Sequence, residues 1–246
     1  MAGVYPAYAQ RYRDLAIRHW WWRARNEAVG REVTRLMEPR RNATILDIGC
    51  GDAVLFPFLS RFGHVEGVEP DPAVLSAESR WRHRIEVRPF DESFVPSRRY
   101  DLILMLDVLE HFEDPERALR HAATLLNDGG RILLTVPAFR LLWTHHDVLN
   151  RHFHRFTKRQ LDAVATGAGL DVIESWYLFH WLFAAKLVAR AHEWMRGPSP
   201  PETVPAERVN HALYRICTTE QRVAGRRLPF GSSLIAVMKH ANGRRS

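Results

Sequence analysis

Cysteine is nearly missing from this sequence: Cys50 and Cys217 are the two among 246 residues. Two thiols cannot build a disulfide framework or a thiolate zinc site, which points to a reducing compartment, the cytoplasm. Also lacking is an apolar run long enough to span a bilayer. The most aromatic stretch, residues 176–195, is interrupted by Lys186 and Arg190, too polar for a spanning helix. The opening Met-Ala-Gly-Val-Tyr-Pro-Ala-Tyr has no charged segment leading into an apolar core, so no secretory signal is expected. Internal repeats and long low-complexity tracts are absent too, which excludes solenoids and arrays. Acid does not dominate: 35 Lys and Arg face 28 Asp and Glu, a net charge of +7. The excess favours anionic partners. Its arginines are scattered, however, and no nucleic-acid module is recognisable, so no nucleic-acid partner is expected.

What is present is the composition of a globular protein, 46% hydrophobic and 26% charged. The length suits one elaborated domain over 1–246. From Ala43 onward, apolar runs of strand length alternate with helical patterns, the signal of βαβ units and a doubly wound, mostly parallel sheet. The strands are expected at 44–48, 65–69, 85–87, 100–106, 131–136, 170–177 and 233–238, seven in all. Helices are expected after the first strand (Val54, Leu55, Phe58, Leu59) and through Val74, Leu75 and Ala77. Another should start at Asp114-Pro115-Glu116, carry Leu119, Ala122, Ala123 and Leu126 on one face and stop at Asn127-Asp-Gly-Gly130. Thr157 and Gln160 form a capping box for a further helix. Outside this rhythm lie a helical cap over 1–40 and an insertion over 178–230 with a Pro-rich loop, 197–201. The core spans 43–177 and the last strand 231–240.

Ligands of a parallel α/β sheet bind at the carboxyl ends of its strands. Asp47-Ile-Gly-Cys-Gly51 follows the first strand, and its glycines let the backbone approach a ligand closely. The next helix N-terminus can meet an anionic group such as a carboxylate. Glu69 ends the second strand about twenty residues on, the position from which an acid accepts ribose hydroxyls. Asp91 and Asp107 follow strands three and four. Acids after four successive strands do not suit a pyrophosphate; they suit a cationic nucleoside.

Ile45-Leu-Asp-Ile-Gly-Cys-Gly51, Gly67-Val-Glu-Pro-Asp71, Phe90-Asp91 and Leu106-Asp-Val-Leu-Glu-His111 resemble the successive motifs of class I S-adenosylmethionine-dependent methyltransferases. The resemblance covers roughly residues 43–138. It implies a Rossmann-like fold, and S-adenosylmethionine as cofactor with S-adenosylhomocysteine as product. By the same resemblance Asp47, Gly49, Cys50 and Gly51 line the methionine and ribose side, Glu69 and Pro70 the ribose, and Asp91 the adenine amine. Leu106, Asp107 and His111 would flank the cofactor. Trp143-Thr-His-His-Asp147 and His152-Phe-His-Arg-Phe156 are similar to a segment of the branch acting on small molecules, quinones and glycan or lipid precursors. That branch usually reads His-Tyr-Arg-Arg-Tyr in the second block, where this chain has Phe153, His154 and Phe156. His19-Trp-Trp-Trp-Arg-Ala-Arg25 is similar to the branch's leading helix, a lid over the cofactor. Residues 229–237 resemble its closing strand, which the family places antiparallel.

Transfer to a hydroxyl needs a base, and histidine titrates near neutrality. His152 is the first candidate and His146 the second, with Asp147 to orient the ring and Arg155 to anchor an anionic acceptor. The alternative is that these polar residues only tie down a loop. Four histidines in ten residues invite a metal reading, but His-Glu-x-x-His spacing is absent and no metal is expected. The acceptor is expected to be a small or lipid-like molecule. The run 176–195 would pack over its pocket, meet the inner membrane face peripherally or join two copies of the chain. Two competing functions remain. A nicotinamide oxidoreductase would need a third glycine where Val54 stands, and a non-catalytic S-adenosylmethionine-binding protein would keep the pocket without turnover.

Overall fold

The computed structural model describes residues 13–38, 40, 42–197, 202–223 and 226–241. Residues 1–12 of the expected cap and 198–201 of the Pro-rich loop lie outside them. The chain forms one seven-stranded sheet: β1 (Ala43–Ile48), β2 (Gly63–Glu69), β3 (Ile85–Val87), β4 (Tyr100–Leu106), β5 (Leu126–Pro137), β6 (Leu170–Leu178) and β7 (Ser233–His240). The order is β3-β2-β1-β4-β5-β7-β6. β1 pairs in parallel with both β2 and β4, β4 with β5, and β7 runs antiparallel between β5 and β6. In β4 every residue from Leu102 to Leu106 is buried. Such a continuous apolar run is what a strand covered on both faces requires.

Helices cover both faces. On one side α3 (Pro115–Thr124) and α5 (Lys158–Gly167) set Leu119, Ala122, Leu161 and Ala165 against the sheet. Both start as expected. Asp114 accepts from Arg117 N, and the Thr157/Gln160 box is formed reciprocally. On the other side α1 (Trp20–Met37) buries Trp20, Ala24, Ala28, Val33 and Met37, a stripe at helical spacing. Each large side chain so buried contributes about 1.5–3 kcal/mol of transfer free energy. Helix α1 packs on α7 (Glu207–Val223) and is tied to it by Tyr214 Oη donating to Glu27 at 2.5 Å and Asn210 accepting from Trp20 N at 2.8 Å. The insertion is thus two helices, α6 (His180–Arg196) and α7, on the same face as α1.

Three expected features differ. The helix after β1 shrinks to α2 (Phe56–Leu59), because Ala53 takes a left-handed φ of 58° and the chain turns there first. The helix expected through Val74, Leu75 and Ala77 is a 3-10 turn at Pro72–Val74. Asp52 accepts from Ser76 N at 2.8 Å, so a side chain takes the amide that helix continuation needs. Leu126 and Asn127-Asp-Gly-Gly130 do not end α3; they begin β5.

Candidate active site

β1 and β4 end side by side, with Asp47 opposite Leu104 and Ile48 opposite Met105. The turn after β1 is held by glycines with specific jobs. Gly49 has φ +69°, and a Cβ there would lie 2.5 Å from Val108. Gly51 has φ +53°, and a Cβ there would meet no atom within 4 Å; the turn faces open space. That space is a cleft of about 530 Å³ lined by Asp47, Gly49, Cys50, Gly51 and Leu106 from the sheet, and by Trp22 and Arg25 from α1. Glu69 lies behind the glycine turn and braces it. Its two carboxylate oxygens accept from Gly51 N and Asp71 N, each at 3.0 Å, and each oxygen keeps a further acceptor site. Pro70 follows it at the end of β2.

The electrostatics of this cleft favour a cation. Burial pushes the Asp47 carboxyl up to about 7, the Arg25 guanidinium working against the shift and Glu69 with it. Burial likewise carries Glu69 to about 7 against the two backbone amides that stabilise its charge. The Cys50 thiol is driven upward by burial and by Asp47 and Glu69. Two carboxyls held near neutrality by desolvation would ionise more readily beside a positive ligand. The residues therefore fit S-adenosylmethionine: an open glycine turn for its backbone-like end, and carboxylates for its charge and ribose.

A second, larger cavity of about 820 Å³ adjoins the cleft, with Trp22 in both walls. Trp20, Trp21 and Leu182 give it apolar sides. Asp107 reaches it because the residue after β4 takes a left-handed φ of 56°, a conformation Asp tolerates better than most. Its Oδ2 lies 3.1 Å from Arg25 Nε. The histidine loop supplies the polar floor. Thr144 caps the short helix α4 (His145–Leu149), and the Asp147 side chain accepts from Thr144 N at 2.9 Å in return.

Asp147 is fully buried and gathers two basic side chains. His152 Nδ1 is 2.9 Å from its Oδ1, and Arg155 donates from Nε at 2.8 Å and from Nη2 at 3.0 Å. Burial alone would raise this carboxyl, but the His152 hydrogen bond and Arg155 outweigh it and hold it well below the usual range. With Asp147 ionised, His152 donates from Nδ1, and the lone pair resides on Nε2. His146, whose ring is 6.3 Å from that of His152, is lowered by burial against the pull of Glu202. Arg155, expected as an anion anchor, lines this cavity. Nε, Nη1 and Nη2 are all engaged, Nη1 with Ala138 O at 3.0 Å, and the guanidinium serves the protein interior.

His111 lines this second cavity and not the cofactor cleft. Burial and the neighbouring His152 press it down to about 3, and the two rings meet edge to face at 4.8 Å. Glu110, beside it, is buried and raised by burial and by Asp107, and its Oε2 makes no hydrogen bond. One ligand atom each from Glu110, His111 and His152 lies within 4.8 Å of the others, a set that could hold a divalent cation. Asp91 reaches neither cavity. It is exposed, and accepts from Ser93 N and Oγ at 2.9 and 2.5 Å. His145 and His154 stand outside both as well.

Reading the sequence missed Arg25, Glu110, Lys186 and Ser232. For Arg25 a signal existed: it falls three and four residues after Trp22 and Trp21, on the same helical face.

Comparison with known proteins agrees with this geometry. The sequence profile of a family described as "Methyltransferase domain" matches residues 21–175. A ubiquinone biosynthesis O-methyltransferase from Azorhizobium caulinodans is 29% identical over 66% of this chain and 68% of its own length. Aklanonic acid methyltransferase DauC from a Streptomyces species is 32% identical over 46% of this chain and 56% of its own. The chain thus matches between about half and two thirds of these relatives' length. Among solved structures, a TehB-like S-adenosylmethionine-dependent methyltransferase from Corynebacterium glutamicum superposes with a TM-score of 0.52 at 20% identity, covering 96% of this chain and all of that one; it shows the same Rossmann-like fold. With the profile covering more than half of the sequence, and with a cleft that fits the cofactor, the chain belongs to the methyltransferase-domain family, as a class I S-adenosylmethionine-dependent enzyme of the small-molecule branch.

Proposed function

We propose that the chain O-methylates a small amphipathic acceptor, with His152 as the base and Asp147 as its orienting carboxylate. The observation that carries this reading is the 2.9 Å contact between His152 Nδ1 and Asp147 Oδ1, in a cavity sharing Trp22 with the cofactor cleft. When bound, S-adenosylmethionine supplies an electrophilic methyl carbon. The protein's part is to hold an acceptor oxygen in line with it, which is worth roughly 7–11 kcal/mol of barrier, and to keep water out with its tryptophans. As the oxygen attacks, its proton passes to His152 Nε2, and the resulting imidazolium is stabilised by Asp147. The name of one relative, ubiquinone biosynthesis O-methyltransferase, supports an oxygen as the acceptor atom, and that of the other, aklanonic acid methyltransferase, a small organic acceptor.

The test is His152→Asn, assayed by formation of S-adenosylhomocysteine with a panel of hydroxylated aromatic compounds. Loss of a general base costs about 10²–10⁴-fold in kcat, and binding of S-adenosylhomocysteine should be unchanged. Turnover equal to that of the unaltered chain sinks the base assignment. A second reading has its own observation, the convergence of Glu110, His111 and His152. A divalent cation there would make His152 a ligand and acidify the acceptor hydroxyl directly. Under the base reading, activity is the same after exhaustive dialysis against EDTA; a loss restored by added Mg²⁺ favours the cation.

No helix among the described residues is long and apolar enough to cross a membrane. Val188, Trp194 and Met195 nevertheless stand out from α6, Trp194 at 89% exposure, near Arg190 and Arg196. This outward face supports peripheral contact with an anionic membrane surface, where a lipid-like acceptor would be met. Cytoplasmic residence is part of the same reading.

A further inference from the structure

The acceptor cavity contains a cation that neither the catalytic dyad nor the cofactor cleft uses. Lys186 projects from α6 one turn after Leu182, and both residues line the cavity. Helix α6 is locked to the histidine loop. Glu193 accepts from His145 N at 3.0 Å, and Arg190 donates to the carbonyls of Arg140 and Leu141. The stem of Lys186 is therefore carried on an element tied to the histidine loop, in the cavity that His146 and His152 also line. No hydrogen bond or ion pair joins Lys186 to any described residue.

The other charges around it are already matched. Arg155 is bound to Asp147 and Arg25 to Asp107, and Glu110 is driven toward its neutral form by burial. Glu202 is the remaining acid. Its side chain is 46% exposed at the cavity and lies 3.9 Å from His146; burial lowers the pKa of Lys186, and the Glu202 charge acts through space against that shift. An unpaired cation inside a half-apolar cavity raises the affinity for a complementary anion much more than it would in water. One lysine matches one negative charge; a phosphate dianion would call for a second free cation, and the arginines are committed.

We propose that Lys186 is the anion anchor of the acceptor cavity, and that the acceptor is a hydroxylated amphipathic compound bearing a single carboxylate. This rests on the methyl-transfer reading above and adds the substrate class. Glu202 occupies the anchor's field when no acceptor is bound, and the acceptor's carboxylate takes its place.

The experiment is a calorimetric titration of the full chain, without cofactor, with 3-hydroxy-2-naphthoate and its neutral isostere 3-hydroxy-2-naphthamide. The unaltered chain is expected to bind the acid roughly tenfold tighter than the amide. Lys186→Met should abolish that preference and leave the amide affinity where it was, whereas Lys186→Arg should keep it. Glu202→Gln should tighten the acid by about threefold through loss of like-charge competition, with no effect on the amide. Failure of the acid to bind, equal affinities in the unaltered chain, or a preference that survives Lys186→Met overturns the proposal. Failure of the methyl-transfer reading would show elsewhere, as absent binding of S-adenosylhomocysteine, and leaves this titration interpretable.

Discussion

The cofactor cleft and the acceptor cavity share the Trp22 wall, yet they treat charge in opposite ways. At the cleft, burial carries the pKa values of Asp47 and of Glu69, behind the glycine turn, to about 7, with Arg25 working against the shift of Asp47. In the cavity, Asp147 is held by His152 and Arg155 far below its ordinary pKa, and Asp107 meets Arg25. The cleft keeps electrostatic potential in reserve for a positive ligand. The cavity cancels its own charges, so that an apolar acceptor is not excluded and two groups, His152 and Lys186, stay available.

The contrast is broken most severely by Asp147→Asn. That change leaves Arg155, 4% exposed, without its counter-charge, and removing one partner of a buried pair costs about 3–5 kcal/mol. Chemical denaturation should show a drop of this size, and an unchanged midpoint would mean that the cluster is not structural.

Next in size is a difference in pH response. The folded pKa values of Asp47 and Glu69 lie above those of an unfolded chain, so between about pH 4 and 7 the native state binds more protons. Stability of the cofactor-free chain should therefore fall as pH rises through that window, by up to about 1.4 kcal/mol per pH unit for each group. Glu69→Gln should remove its share of the slope, and should weaken S-adenosylhomocysteine as well. Asp147 acts in the other direction. Its folded pKa is depressed, so its contribution is complete above about pH 4 and is lost as the solution becomes more acid. Melting curves from pH 3 to 8 for the unaltered chain and both variants would separate the two regions; parallel profiles would remove the distinction.

The smallest stability effect belongs to the outward face of α6. Trp194→Ala at an exposed position should change stability by no more than about 0.5 kcal/mol, but should reduce co-sedimentation with anionic vesicles at low salt. If the unaltered chain does not sediment with vesicles, this face has no membrane role.

The same contrast explains what could be read in advance. The cleft was legible because its parts are local: a glycine turn directly after an apolar run, and acids at the ends of successive strands. The cavity draws on residues from His19 to Ser233, and no local pattern announces that they converge. Lys186 was legible only as a charge interrupting an aromatic run; that it lines the cavity with Leu182 follows from the packing of α6 and not from local sequence. Arg155 and Asp147 were both found, but their pairing was not. They stand eight positions apart, across the end of α4 and the loop that follows it, so their orientation depends on the Thr144 cap and the fold of the loop. Seven strands and an antiparallel closing strand were legible from apolar runs and resemblance. The helix expected after β2 was not realised, since apolar spacing was present while Asp52 claimed the amide that would have continued it.

The placement of β7 bears on how the molecule assembles. It enters between β5 and β6, although β6 is translated more than fifty residues before it. Until β7 arrives, β5 has an open edge and β6 has no neighbour to pair with, a state that invites pairing with other chains. Ser232 and Ser233, at the start of β7, also form part of the acceptor cavity. Synthesis of β7 thus completes the sheet and adds the last wall of the cavity in one event.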